Sequence, residues 1–284
     1  MPKAYAKINL TLEVLEKLSC GYHKIESVFQ KVSLCDIIKI ESAKNGIKIV
    51  CNDKDIPLDE KNICWQIAEI LQKKFKPSIN GKTGVKISIN KKIPIGGGLG
   101  GGSSDAAAAL LELNKFWKLN LSQRQMINIS AKVGKDIPFF LTPKSTSLAR
   151  GLGEKIKDLS RSPALHLVLI NPEFKVSTKW AYNNLTLEAK KYQKAANKMI
   201  KAINENNFDK ISQNLYNDFE PSVIKHFPKI GKIKKDLLKN GAAASLMSGS
   251  GSSVYGIFKN KKEAAGAYNI LKKKYKKCYL AKTV

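Results

Sequence analysis

At 284 residues with 43% apolar side chains, the chain is long enough to bury a sizeable core, and at roughly 150 residues per domain its length suggests two domains. No apolar run approaches the ~20 residues of a membrane span, and residues 1–10 carry Lys and Asn where a signal peptide needs an unbroken apolar core, so the expected location is the cytoplasm, away from any membrane. Fifty Lys and Arg against 23 Asp and Glu leave a net charge of +27, which favours anionic ligands without choosing between a small polyanion and nucleic acid.

In chain order, alternation over Lys7–Leu15 predicts a strand, and Ile37–Ile40 and Ile47–Cys51 predict two more. Asn62–Phe75 is an amphipathic helix with Ile63, Ile67, Ile70 and Leu71 on one face. Strand Val85–Ile89 leads into a glycine run, with Ser103, Ser104 and Asp105 as caps and a helix from Ala106 to about Trp117. Ser122 caps a helix reaching about Val133, which Gly134-Lys135-Asp136-Ile137-Pro138 breaks. Strand Ser145–Arg150 and the turn Gly151-Leu152-Gly153 follow, and Leu159–Pro163 reads as a domain joint. The second half opens on the apolar strand Leu165–Ile170 and runs through helical stretches from about Ser177 to Asn240. It ends on strands Ala242–Met247 and Val254–Phe258, a helix near Lys261–Lys274 and a short last strand. Strands and helices mixed without strict βα repetition predict α+β layers in both halves, and no internal repeat is present.

Cys20, Cys35, Cys51, Cys64 and Cys278 are odd in number, widely spaced and without a C-x-x-C pair, which argues against a disulfide framework and a zinc site. The Lys clusters at Lys73–Lys76, Lys232–Lys235 and Lys272–Lys277 lie on or beside helices, with apolar residues at helical spacing, as solvated faces do.

The chemistry concentrates at Pro94-Ile95-Gly96-Gly97-Gly98-Leu99-Gly100-Gly101-Gly102-Ser103-Ser104, where six glycines stand before a helix start. Glycines admit an anion close to the backbone and reach positive φ, and the helix start offers unpaired N–H groups and a positive dipole end. The run therefore reads as a phosphate cradle rather than a linker. It lacks the Gly-Lys-Ser/Thr ending of a P-loop, so the phosphate-neutralising cation must come from a distant segment. Phosphoryl transfer then needs an acid and a cation beside the cradle. Asp136 in its polar break and Lys7 among small and apolar neighbours meet that need; taken alone, each reads equally as a loop acid and a surface lysine. Gly249-Ser250-Gly251 is a second glycine-serine loop, suited to a phosphate or to a tight hairpin. Tyr22-His23 combines an aromatic face with a switchable donor, which suits a planar base as well as it suits ordinary packing.

In this order along nearly the whole chain, Ala6-Lys7-Ile8-Asn9-Leu10, Gly21-Tyr22-His23, the glycine run, Asp136-Ile137-Pro138 and Gly249-Ser250-Gly251 resemble the GHMP kinase superfamily. The lengthened loop, with two further glycines after Leu99-Gly100 and Asp105 where the generic pattern has Ala, is similar to the branch that phosphorylates a diphosphocytidyl-methylerythritol in non-mevalonate isoprenoid synthesis, giving the 2-phosphate. The resemblance implies two domains, 1–158 and 159–284. The first would be an ATP-binding α+β domain with a left-handed βαβ crossover, the second a ferredoxin-like sandwich, with both substrates meeting between them. It implies ATP phosphates along Pro94–Ser104, with Asn62 near the adenine. It also implies Asp136 as base toward the acceptor hydroxyl, Lys7 as its cationic partner, and the cytosine between Tyr22 and Tyr182 with His23 reading its edge. Asn9 and Lys91 would help hold the acceptor. Magnesium is expected with ATP; its ligands stay unassigned, with Asp105, Asp136, Ser103 and Ser104 as the available oxygens. A mevalonate, homoserine or sugar acceptor on the same scaffold is the alternative, and Tyr22 and His23 weigh against it because those acceptors carry no base to stack. A basic RNA-binding module is the other alternative; the chain lacks clustered aromatics of the RNP kind and a concentrated Arg patch, so no specific nucleic acid is expected.

Overall fold

The structure, a computed structural model, describes residues 2–19, 21–75, 84–185 and 194–284. Cys20, Lys76 and residues 186–193 of the predicted helical stretch lie outside the described residues. In chain order the elements are β1 (Lys3–Lys17), β2 (His23–Ser42), β3 (Ile47–Cys51), α1 (Ile63–Phe75), β4 (Val85–Asn90), α2 (Gly101–Phe116), α3 (Gln123–Ser130), α4 (Ile137–Leu141), β5 (Thr146–Gly151) and β6 (Lys155–Asp158). They continue with β7 (His166–Asn171), α5 (Thr178–Asn183), α6 (Ala195–Asn204), α7 (Phe208–Gln213), β8 (Tyr216–Asn217) and α8 (Glu220–His226). The chain closes with α9 (Pro228–Lys239), β9 (Ala244–Met247), β10 (Val254–Phe258), α10 (Lys261–Lys274) and β11 (Lys277–Lys282). The strands form two sheets, so the α+β reading holds.

The chain forms two compact units. One compact unit takes Met1–Ala6, Cys35–Ile95 and Gly100–Pro143; the other takes Lys7–Leu34, Gly96–Leu99 and Lys144–Val284. Each is discontinuous in sequence because of strand length: β1 has 15 residues and β2 has 20, and each passes from one unit to the other along its course. Alternation predicts only residues 37–40 of β2, because Glu26, Ser27, Gln30 and Lys31 interrupt the apolar pattern. Those four are buried, and their polar groups find partners in the fold: Arg150 Nε donates to Glu26 at 2.7 Å and Thr146 Oγ1 to Gln30 Oε1 at 2.6 Å.

In the first unit, β3 and β4 run parallel, Ile47 opposite Val85, with α1 as the crossover between them, and β4 pairs antiparallel with the far end of β2, Ile37 opposite Asn90. Helix α1 buries Cys64, Ile67, Ala68 and Leu71, so its face is turned from the predicted one by about one residue, with Ile63 and Ile70 at its margins. Helix α2 begins at Gly101, not Ala106, and the predicted caps Ser103, Ser104 and Asp105 lie inside it; its N-cap is Gly100 at φ 66°, with no side-chain cap. Glycine replaces a capping side chain here by supplying the left-handed φ directly. All four alanines at 106–109 are buried, a surface that lets neighbouring helices approach closely. Ser122 caps α3 in a capping box with Gln125, as predicted, though α3 ends at Ser130.

In the second unit, β2 pairs with β5, and β5 with β6 across Gly151-Leu152-Gly153, a hairpin whose second strand the alternation misses. The short β8, also missed, runs parallel to β1, Thr11 opposite Tyr216. The other sheet has the order β11-β7-β10-β9 with every pair antiparallel. That is the ferredoxin-like arrangement of a β-α-β-β-α-β chain. Ile230, Ile233 and Leu237 of α9 and Ala264, Ala267 and Leu271 of α10 bury their helical stripes in this unit's core with Val168, Ile170, Val254 and Phe258.

Candidate active site

The site builds from one strand and two glycine loops in the second unit. Lys7 on β1 is 4% exposed; its Nζ donates to Asn9 Oδ1 at 2.7 Å and lies 4.5 Å from the centre of the Phe29 ring. Asn9 Nδ2 donates to Ser27 Oγ at 2.8 Å, which fixes the amide so that its oxygen faces the ammonium. Both ends of the Asn9 amide are thus engaged by protein. The backbone N–H of Lys7 donates to Leu99 O at 2.9 Å, tying the glycine run to the strand that carries the cation.

The second glycine loop braces the first through main-chain contact. Ser253 N–H donates to Gly97 O at 3.1 Å and Ser248 Oγ to Gly98 O at 2.9 Å. A Cβ on Gly98, where φ is +75°, would lie 2.1 Å from Ser248 O, so only glycine fits. Gly249, at φ +59°, lies less tightly against Gly98 O, a Cβ there standing at 3.2 Å, and Asn217 Nδ2 holds Gly249 O at 2.8 Å. A Cβ on Gly96 would lie 2.8 Å from Lys175 Cγ, which places that lysine's stem against the loop. Ser250 Oγ bonds Thr178 Oγ1 at 3.1 Å, and Gly251, at φ +93°, turns the loop back toward β10.

Pro94, Ile95 and Gly100–Ser104, the stems of the glycine run, belong to the first unit. Gly101 and Gly102 are the first residues of α2, with Ser103 and the buried Ser104 in its first turn. The loop before Asp136 reaches the same helix end, because a Cβ on Gly134 would lie 3.9 Å from Ser103 Oγ. Asp136 occupies the N-cap position of α4 without capping it by its side chain, and it is partly exposed. Asn62 is buried: Oδ1 accepts from Cys64 N–H at 2.9 Å, capping α1, and Nδ2 donates to Pro57 O at 2.8 Å. Lys91 is enclosed between two carboxylates, its Nζ paired with Asp36 and 2.7 Å from Asp105 Oδ2. Burial is the largest influence on this ammonium and lowers its pKa, but Asp105 and Asp36 together raise it above the ordinary value.

Tyr22 is 61% exposed, while the His23 ring stacks on Tyr182 at 4.6 Å and 16°. Tyr182 in turn meets the edge of Phe219 at 4.8 Å. His23 thus covers one face of Tyr182. Burial first, and then Lys17, lowers the His23 pKa, which favours the neutral ring that can both donate and accept toward a base edge.

Backbone amides, a helix start, an oriented ammonium and a partly exposed carboxylate are the parts that phosphoryl transfer requires. The chain matches the model of the GHMP kinases N terminal domain over residues 62–143 and that of the GHMP kinases C terminal domain over 199–277. It is 40% identical over 99% of its length, and 95% of the relative's, to the 4-diphosphocytidyl-2-C-methyl-D-erythritol kinase of Thermoanaerobacter pseudethanolicus. To the enzyme of the same name from Caldicellulosiruptor saccharolyticus it is 41% identical over 99% of this chain and 96% of that one. The chain belongs to the GHMP kinases. A crystal structure of 4-(cytidine 5'-diphospho)-2C-methyl-D-erythritol kinase superimposes with a TM-score of 0.85 at 27% identity, covering 99% of this GHMP kinase and 98% of that chain.

Within this GHMP kinase, reading from sequence missed Asp36, Ser248 and Lys175. Asp36 had a signal, a lone acid between Leu34-Cys35 and Ile37-Ile38, and Ser248 directly precedes the second glycine loop. Lys175 had none among so many lysines.

Proposed function

We propose that this protein transfers the γ-phosphoryl group of ATP to a hydroxyl of 4-diphosphocytidyl-2-C-methyl-D-erythritol. The observation that carries this reading is the likeness along the full chain to kinases of that name, at 40% and 41% identity. The triphosphate lies along the amides of Pro94–Ser104, where positive φ at Gly96, Gly98 and Gly100 turns the backbone and α2 presents its positive end. Asp136 takes the proton of the acceptor hydroxyl as its oxygen bonds to the γ-phosphorus and the bond to the departing ADP breaks. The Lys7 ammonium, fixed by Asn9, neutralises charge that develops on the transferring oxygens. The exposed ring of Tyr22 stacks the cytosine, and the neutral His23 ring meets its polar edge.

Among the described residues no three His, Cys, Asp or Glu groups gather as a metal cluster. Asp105 and Ser104 are buried, whereas the Ser103 hydroxyl at the first turn of α2 and the Asp136 carboxylate are the partly exposed oxygens that would meet magnesium. This fits an ion held mainly by phosphate oxygens and water, which supplies charge neutralisation on the nucleotide. A kinase assay offering ATP with the diphosphocytidyl alcohol, mevalonate or homoserine tests the reading. Turnover of the first alone is expected; phosphorylation of another acceptor without it would sink the assignment.

A further inference from the structure

The glycine run has two stems, and one buried ion cluster holds both. Asp36 from β2 accepts at Oδ1 from the backbone N–H groups of Lys92 and of Ile93, the latter at 2.8 Å, directly before Pro94. Its other oxygen takes the Lys91 ammonium. The same ammonium reaches Asp105 Oδ2 at 2.7 Å, on the second turn of α2 beyond the loop. The side chains of Lys91, Asp36 and Asp105 are 4%, 0% and 4% exposed, so no ligand reaches the ammonium without displacing a carboxylate. A Cβ on Gly101 would stand 3.2 Å from Lys91 Nζ and 2.9 Å from Ile93 Cγ2, so the first residue of the helix rests directly on the cluster.

From this geometry we propose that Lys91 is a positioning residue: clamped by Asp36 and Asp105, it locks the strand entering the phosphate loop to the helix leaving it, and so presets the loop amides for the triphosphate. The inference rests on the reading of that loop as the ATP site. It differs from the expectation that Lys91 holds the acceptor. An ammonium closed between two carboxylates has little field left for a ligand, while removing one member of a buried cluster leaves uncompensated charge. Among the described residues Asp105 Oδ1 has no hydrogen-bond partner, and Oδ2 carries the pairing with Lys91. Burial, more than any neighbour, lifts the Asp105 pKa, against the pull of Lys91.

Hydrogen exchange of the amides of residues 95–104 in the nucleotide-free protein tests the clamp without reference to turnover, and calorimetric titration with ATP follows its consequence. In Lys91→Met, exchange at the loop is expected to quicken by about tenfold or more, as one buried partner lost predicts, with unchanged exchange in the β7–β10 pair and ATP binding weakened to a similar extent. Adding Asp105→Asn to Lys91→Met removes the stranded charge and is expected to restore part of both, which no residue that contacts a ligand directly would allow. Should Lys91→Met not fold, Asp36→Asn, which keeps the shape and weakens the clamp, is read the same way. Wild-type loop exchange in a folded variant, or a double variant no better than Lys91→Met, overturns the proposal. Loss of acceptor specificity with a normal loop and normal ATP affinity overturns it as well.

Discussion

Asp136 and Asp105 are both carboxylates near the start of a helix, and their surroundings give them opposite uses. Asp136 is partly exposed at the N-cap position of α4, and its proposed use is to accept a proton from a substrate hydroxyl. Asp136→Asn is expected to lower kcat by about two orders of magnitude, the ordinary contribution of a general base, while calorimetry finds ATP affinity largely kept. Asp105 is buried against Lys91; burial pushes its pKa up while the adjacent ammonium pulls it down, and the pairing commits this carboxylate to the cluster.

At the scale of elements, the two glycine loops work by being bare. Gly98 faces Ser248 O through a space that a Cβ would close to 2.1 Å, at a φ of +75°. Gly102, already helical, would place a Cβ 3.3 Å from the end of the Ile63 side chain, which can give way. The two alanine variants should therefore separate. Gly98→Ala forces the braced loops apart and is expected to lower both melting temperature and ATP affinity, with a strain cost of about 1–3 kcal/mol. Gly102→Ala places alanine at a helical position, so its melting temperature should hold, and any rise in KM for ATP reports the phosphate's need for a bare backbone. The same contrast explains what periodicity could see. A stripe such as Ile230, Ile233 and Leu237 announces a helix, since burial follows the helical turn. The first half of β2 announces nothing, because its buried Glu26, Ser27 and Gln30 owe their place to partners more than a hundred residues away or across the sheet.

For the molecule as a whole, a charge of +27 exceeds what one site for two polyanions uses, and the Lys face of α10, with Lys272, Lys273 and Lys274 in its last turn, is of the solvated kind that the spacing predicts. Long-range attraction still acts on both substrates. Raising ionic strength from 0.01 M to 0.15 M shortens the screening length from about 30 Å to about 8 Å, so kcat/KM is expected to fall several-fold while kcat stays level. A kcat/KM indifferent to salt would show that the surplus charge plays no part in capture.

The glycine run, the second glycine loop, the lone acid after Gly134-Lys135 and the lysine in the first strand could all be read as chemistry, because backbone freedom and residue type are local properties that the letters carry. Ferredoxin-like layers followed from the resemblance that those motifs carry together. What each of these side chains touches was not legible: Asn62 caps a helix, Asn9 bonds the Lys7 ammonium, and Lys91 sits in a buried cluster with Asp36 and Asp105. Those contacts depend on burial and on partners brought together from distant strands, and a charged side chain has no fixed role until the fold decides whether water or a carboxylate surrounds it.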